Sequence, residues 1–403
     1  MSKPLTILCI ASYFKGEEFL VASKEAGNTV ILVTDKKLEN KKWPWEHIDD
    51  VFYLTGNDGV WNVDHLIGGI AWLMQSRQID RIVALDDFDV ERAAAVREEL
   101  RFPGMGQTTA RHFRDKLAMR MKADESGIAV PPFTSLFNDE AINNFIKNTP
   151  TPWVVKPRGE ASATGIKKVH SGEELWQVIH GLGEDRYKYL VEQFKPGDVF
   201  HVDALSVDGK MKFCRVSKYL SPPFEVAHGG GIFRSYTIEL GSEDDKALQK
   251  LNEEVLNAFG MKFSASHTEY IKSHEDGKFY FLETSSRVGG AHLSNMVDIA
   301  SGVNLWAEWA KIESAMAKGE TYKMPKVRKD YAGIIVSLAR QQWPDMSVFN
   351  EPEVQWKINK EYHVGIIVRS KNKDRVLELL DKYAHTIKND FHASAPAPDK
   401  SVN

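Results

Sequence analysis

His267-Thr268-Glu269-Tyr270-Ile271-Lys272, followed after a short connection by Lys278-Phe279-Tyr280-Phe281-Leu282-Glu283-Thr284-Ser285-Ser286-Arg287, is the stretch on which the fold turns. Both runs are rich in β-branched and aromatic residues, and Asp276-Gly277 between them is a strong turn signal, so an antiparallel hairpin is predicted. With a three-residue loop, Glu275-Asp276-Gly277, in which Gly277 is left-handed at a bulge, His274 pairs with Lys278. That register sets Glu269 opposite Glu283 and His267 opposite Ser285 on one face, with Arg287 further along. A two-residue loop puts the two glutamates on opposite faces. Two carboxylates opposed across strands, Cβ atoms about 5 Å apart, repel by up to about 1 kcal/mol and need a partner. A hard divalent cation is the natural one, since Mg2+ takes one or two carboxylates together with waters and substrate phosphates. Arg287 adds a bidentate donor suited to phosphate or carboxylate, a structural salt bridge being its other use. Gly289-Gly290 after it lets the backbone approach a ligand closely.

Working outward, Pro152-Trp153-Val154-Val155-Lys156-Pro157 predicts a strand with Lys156 on the face opposite Trp153 and Val155. The small, hydroxyl-bearing run Arg158 to Gly165 follows. It is either a plain turn or a loop whose backbone N–H groups lie over phosphates. Leu190-Val191-Glu192-Gln193-Phe194-Lys195-Pro196-Gly197-Asp198 predicts a strand closed by a Pro-Gly turn, with Leu190 and Glu192 on one face and Val191 and Gln193 on the other. His228-Gly229-Gly230-Gly231-Ile232-Phe233-Arg234 is a glycine run before a cation, either a substrate loop or a flexible surface loop.

The N-terminal part alternates apolar strands, Leu5 to Ala11, Thr29 to Thr34, Arg81 to Leu85 and a weaker Val51 to Leu54, with helix-compatible segments, the signature of a parallel sheet. Its first strand ends in Ala11-Ser12-Tyr13-Phe14-Lys15-Gly16 and lacks the glycine pattern that cradles a dinucleotide. One helix is predicted from Ala110 to about Ser126 and a long one from Ile299 to Ala317. A last module follows the connector Tyr322 to Arg328, and the tail after Phe391, with Ala-Pro-Ala-Pro, predicts disorder. The 403 residues suffice for two to three domains. Lys plus Arg at 52 against Asp plus Glu at 56 argues against nucleic acid as a partner. No apolar run reaches the length of a membrane span. Two cysteines without CxxC read as buried thiols, and the short run Leu5 to Ala11 lacks a cleavage site, so a cytoplasmic protein is expected.

These motifs resemble the ATP-grasp superfamily, on the branch of biotin carboxylases, carbamoyl-phosphate synthetases and L-amino acid (dipeptide) ligases. The resemblance covers about residues 80–300 closely and the ends loosely. Phe102-Pro103-Gly104-Met105 followed by Phe113-Arg114-Asp115-Lys116 is similar to the start of the family's nucleotide domain. The resemblance implies an α/β and α+β molecule. Its parts are an N-terminal Rossmann-like domain (1–109), an ATP-grasp domain (110–325) with a lid at about 128–192, a small α+β module (326–391) and a disordered tail (392–403). It implies ATP and Mg2+ as cofactors. Lys116 and Lys156 fall on the ATP phosphates, and Ser162, Ala163, Thr164 and Gly165 in the phosphate loop. Glu192, Gln193 and Phe194 fall at the adenine hinge and Asp198 on the ribose. Glu269 and Glu283 match the metal ligands. Ser285 stands where the family's Glu-x-Asn-x-Arg strand has its asparagine, which bears on a second metal position. Arg287 and Lys156 become catalytic, and His228, Gly229, Gly230, Gly231, Arg234 and Arg287 line the substrate site. The implied activity is carboxylate activation by the γ-phosphate of ATP and capture of the acyl phosphate by an amine. Bicarbonate activation of the biotin carboxylase or carbamoyl-phosphate type is one alternative, although Met316-Ala317-Lys318 is no biotinylation signal. A non-catalytic ATP sensor is another. The partners implied are small-molecule carboxylates and amines, with no membrane and with homodimerisation left open.

Overall fold

A computed structural model describes residues 4–56, 60–160, 164–222, 226 and 230–394. The chain opens with β1 (Thr6–Ala11), α1 (Glu17–Glu25), β2 (Thr29–Asp35), β3 (Asp50–Leu54), α2 (Val63–Met74), β4 (Arg81–Ala84) and α3 (Val90–Glu99), and the four strands form a parallel sheet in the order β3-β2-β1-β4. Near-continuous apolar runs such as Thr-Ile-Leu-Cys-Ile-Ala suit strands covered on both faces. Ile7 and Cys9 pack with Phe19 on one side, and Leu8 and Ile10 pack with Leu66 and Val96 on the other.

The helix expected from Ala110 to Ser126 is two helices, α4 (Gln107–Arg111) and α5 (Lys116–Glu125). Asp115 breaks it. Its backbone is extended, and its carboxylate accepts from Leu117 N and Ala118 N at 2.9 and 3.3 Å, so a capping aspartate outcompetes helix continuation.

A second, antiparallel sheet contains β5 (Phe133–Ser135), β6 (Trp153–Pro157), β7 (Lys167–Val169) and β8 (Tyr189–Gln193) in the order β5-β8-β6-β7. Helices α6 (Asp139–Asn148) and α7 (Gly172–Leu182) cover it, burying Ile142, Leu175 and Ile179 against Trp153 and Val155. Ser171 caps α7 by accepting from Glu174 N at 3.1 Å.

The third sheet is built from β9 (Gly197–Val207), β10 (Lys210–Tyr219), β11 (Phe233–Thr237), β12 (Ser264–Ser273), β13 (Phe279–Ser285), β14 (Tyr331–Ala339), β15 (Val354–Lys357) and β16 (His363–Ser370), in the order β13-β12-β9-β10-β11-β14-β16-β15, with β17 (His392–Ala393) on β14. Its helices are α8 (Glu243–Phe259), α9 (Leu293–Ser301), α10 (Leu305–Lys318) and α11 (Lys373–Asp390). The helix expected from Ile299 to Ala317 is interrupted. Gly302 takes φ 74°, and Asn304 starts α10 by accepting from Ala307 N at 3.0 Å. Pairing of β11 with β14 carries the sheet without a break into the C-terminal strands. Among the described residues no helix is long and apolar enough to cross a membrane.

The decisive hairpin forms by another route than expected. Ser273, not His274, pairs with Lys278: Ser273 N donates to Lys278 O at 2.9 Å, and the loop runs from His274 to Gly277. Tyr270 then faces Phe281, a register that by itself leaves Glu269 opposite Leu282. A bulge at Leu282 inserts one residue and restores Glu269 opposite Glu283 and His267 opposite Ser285.

Candidate active site

A cavity of about 790 Å³ lies between the second and third sheets and reaches the first at Asp87. Lys116, Lys156 and Thr164 are on its wall, as are Glu192, Gln193, Phe194 and Asp198. Glu269, Glu283, Ser285 and Arg287 complete the set.

Lys116 is the first residue of α5, so the Asp115 cap fixes where it starts; its Nζ is 2.9 Å from Glu283 Oε2 and donates to Glu160 O at 2.7 Å. Lys156 is buried and paired with Glu192 Oε1, while Arg120 Nε donates to Glu192 Oε2 at 2.8 Å. Burial and then the Arg120 charge push the Lys156 ammonium down to about 8, against the attraction of Glu192. The same burial opposes ionisation of Glu192, but its two cations hold it below the usual carboxylate range. The Glu192 side chain is thus consumed inside the protein. Backbone N–H groups of the expected hinge are also engaged, Gln193 N donating to Pro132 O at 2.8 Å and Phe194 N to Pro152 O at 2.9 Å. Asp198 sits at the rim with Lys218 Nζ at 2.8 Å.

The two glutamates face the cavity side by side. Tyr219 donates its hydroxyl to Glu269 Oε1 at 2.7 Å. Burial works against the Glu283 charge, yet Lys116 and then Lys156 bring its carboxyl down to about 2. The Ser285 hydroxyl is buried on the same wall with no hydrogen-bond partner. Two opposed carboxylates and a hydroxyl without a hydrogen-bond partner are oxygen donors that fit a hard divalent cation. Arg287 lines the cavity and also makes the salt bridge that was its alternative use: Nε is 2.9 Å from Asp87 Oδ2, and Nη1 donates to Val288 O at 2.7 Å.

Other expected residues lie elsewhere. Ser162, Ala163, His228 and Gly229 fall outside the described residues. Gly165, at φ 71°, lies over Pro157 beside the cavity. Gly230 and Gly231 are not on its wall, and neither is Arg234, whose Nη1 is 2.8 Å from Asp381 Oδ1 of α11. Alternation along β11 explains the correction, because Phe233 faces the cavity and sends its neighbour to the other side.

Sequence reasoning missed Asp87, Tyr219 and the buried pair His201 and Asp203, which lies behind the partly buried His267. Asp87 follows β4, and the C-terminal end of a parallel strand is where open α/β sheets bind ligands. His201-Val202-Asp203 carries a period-two signal, two polar residues on one strand face. Burial opposes the charge on His267, but Asp203 raises its pKa to about 10, and His267 with His201 holds Asp203 well below the usual carboxylate range.

No protein-family model matches the chain. It is 27% identical over 236 residues to an L-arginine-specific L-amino acid ligase of Bacillus subtilis, covering 56% of each chain. It is 24% identical over 227 residues to a D-alanine–D-alanine ligase of Prosthecochloris aestuarii, covering 50% of this chain and 60% of the relative. The match thus spans a little over half the length of these relatives. In fold it is similar to the L-amino acid ligase structure from Bacillus licheniformis, with TM-score 0.76 and 17% identity over 97% of this chain and 99% of that one. The biotin carboxylase domain of Hydrogenobacter thermophilus 2-oxoglutarate carboxylase, solved with MgADP and bicarbonate, gives TM-score 0.70 at 14% identity over 97% and 91%. With lysines and opposed glutamates around the cleft between its second and third sheets, and a fold similar to that of these enzymes, the chain has the ATP-grasp fold.

Proposed function

We propose that the chain is an ATP-dependent carboxylate–amine ligase that makes an amide or peptide bond through an acyl phosphate. The observation that carries this reading is the convergence of Lys116, Lys156, Arg287 and the pair Glu269 and Glu283 on one cavity wall. Cations gathered there stabilise charge on the terminal phosphates of a nucleotide. Glu269, Glu283 and Ser285 are the residues to hold Mg2+, which when bound neutralises phosphate charge. Lys116 and Lys156 bind phosphate oxygens, and Arg287 orients the phosphoryl group or the carboxylate at the end facing Asp87.

In this scheme a substrate carboxylate oxygen bonds to the γ-phosphorus, and ADP leaves with the electron pair of the broken P–O bond. The amine nitrogen then bonds to the acyl carbon, phosphate leaves with the C–O pair, and the proton lost by the amine goes to phosphate or solvent. The substrates are small molecules that fit about 790 Å³ beside a nucleotide, and the setting proposed is the cytoplasm, where MgATP is supplied. Chromatography of nucleotides across a matrix of carboxylates and amines tests the reading. ADP with inorganic phosphate, dependent on both substrates, is expected. AMP as the main product, or no ATP consumption with any pair, overturns it.

A further inference from the structure

The scheme above gives no task to Arg114, a cation on the cavity wall. Other cations of that wall already meet carboxylates: Lys116 pairs with Glu283, Lys156 with Glu192, Lys195 with Glu275 and Arg287 with Asp87. Lys168 lies over the Phe194 ring at the hinge end, its Nζ 3.7 Å from the ring centre. Arg114 stands at the opposite end, where the cavity reaches the first sheet, and among the described residues its guanidinium forms no ion pair. Its partner is a ring. The guanidinium carbon lies 4.3 Å from the centre of Phe88, Phe88 stacks on Tyr13 with ring centres 4.8 Å apart and planes 19° apart, and Lys37 Nζ lies 5.7 Å from the Tyr13 ring. Phe88 follows β4 and Tyr13 follows β1, so the first sheet supplies the platform. A guanidinium held over a ring spends no N–H on that contact, and its donors stay available.

The backbone shows what those donors stand beside. Arg114, Asp115 and Lys116 run along Arg158, Gly159 and Glu160: Lys116 N donates to Arg158 O at 2.9 Å, Arg158 Nε donates to Asp115 Oδ1 at 3.0 Å, and Lys116 Nζ donates to Glu160 O at 2.7 Å. Gly159 lies next to the guanidinium, since the nearest described atom to a Cβ placed on it is Arg114 Nη2, at 3.9 Å. Arg114 therefore borders the segment that Lys116 also borders. A cation without a counter-ion at that place leaves room for one more negative charge, and holding it over a ring in advance spares part of the cost of ordering a long side chain when the anion arrives.

We propose that Arg114 binds the terminal phosphoryl group of ATP, with Phe88 as the positioning residue that holds it there. The proposal rests on the ligase reading, in which Lys116 and the segment from Arg158 to Gly165 meet the phosphates. ADP lacks this phosphoryl group, so the contact separates ATP from ADP. During transfer the charge of the phosphoryl group lies on its three outer oxygens, and a planar donor beside them serves the group both before and after its bond to ADP breaks. Through Phe88 the first sheet then takes part in recognising the bound nucleotide.

Calorimetric titration of the full-length protein in Mg2+, with ADP or with the non-hydrolysable β,γ-imido analogue of ATP, reads this contact without any substrate. Arg114→Gln should weaken the analogue about 10- to 100-fold and hold ADP within about twofold, the loss expected for one hydrogen bond between charged groups. Arg114→Lys, which keeps the charge but not the planar fork, should recover part of the loss. Phe88→Leu should weaken the analogue in the same selective way by a smaller factor, and Phe88→Tyr, which keeps the ring, should match the unaltered protein. The Phe88 pair also carries the test if Arg114→Gln does not fold. Equal weakening of ADP and analogue, or of neither, in the Arg114 variants overturns the phosphoryl assignment. A raised KM for one substrate alone, with both nucleotide affinities unchanged, also overturns it and gives the cation to a substrate carboxylate. An unchanged ratio of the two affinities in Phe88→Leu overturns the positioning role. Failure of the unaltered protein to bind either nucleotide overturns the ligase reading itself, and the inference with it.

Discussion

Lys156 shows how a single residue carries an electrostatic burden toward a ligand. Its ammonium is buried with Arg120 close by, and Glu192, the carboxylate it pairs with, is shared between them. The folded pKa, about 8, lies below the free value of 10.5, so the charged form is disfavoured until a further anion arrives. Nucleotide phosphates raise that pKa again. ADP binding at pH 8.5 should therefore take up protons, up to one per chain, and at pH 6.5, where Lys156 is already charged, it should take up none from this group. Calorimetry in buffers of different ionisation enthalpy measures the difference, and zero uptake at pH 8.5 removes Lys156 from the phosphates. Glu283→Gln belongs to the same scale. It removes one of two opposed carboxylates and the partner of Lys116, so turnover should fall roughly 100-fold or more through lost metal affinity. Full activity of that variant at ordinary magnesium concentration removes Glu283 from the metal.

At the scale of elements, helix α5 turns a capping interaction into a position for a lysine. Asp115 accepts two backbone N–H bonds at the start of α5 and is also 3.0 Å from Arg158 Nε, tying α5 to the end of β6. Asp115→Ala should cost about 0.5–2 kcal/mol of stability through the lost cap and loosen the first turn, in which Lys116 sits. Thermal unfolding and ADP affinity should fall together. Unchanged ADP affinity in a destabilised variant separates the cap from the site. The segment Arg158 to Gly165 makes a second prediction. Thr164 is buried on the cavity wall with its hydroxyl unpartnered, and bound phosphates supply partners there. Amide exchange across this segment should slow on adding MgATP, and equal exchange with and without nucleotide marks it as a plain turn.

Across the whole molecule, long-range contacts join the parts into one working unit. Arg81 and Glu313 form a buried ion pair between β4 and α10, and Asp87 with Arg287 spans from the end of β4 in the first sheet to the turn after β13. The C-terminal strands add to the third sheet at β11, so β14 covers an edge that is otherwise open. A chain ending at Arg328 should expose that edge and the apolar face packed against α11, and should elute from size exclusion as aggregate. A monodisperse, cooperatively melting truncated protein shows that the third sheet closes without its C-terminal strands.

Local chemistry was readable along the chain because it depends on residue type and short spacing. Period-two alternation set Lys156 on the face opposite Trp153 and Val155 and Glu192 on one face with Leu190, and the turn signal at Asp276-Gly277 set Glu269 opposite Glu283. The pairing of Glu269 with Glu283 was expected for an incomplete reason. A loop longer by one residue shifts the register, and a bulge at Leu282 shifts it back, so two local deviations cancel. Sequence spacing does not show such cancellation; Tyr270 and Phe281, the pair next to the bulge on its loop side, are both buried in the core. Nor does spacing show partners brought from far along the chain. Asp87 meets Arg287 across 200 positions, and Asp203 meets His267 across 64, each through the order of strands in a sheet or the docking of two sheets. Arg234 was misplaced for the same reason: its residue type suits a substrate, but the strand's face, set by tertiary pairing, delivers it to Asp381.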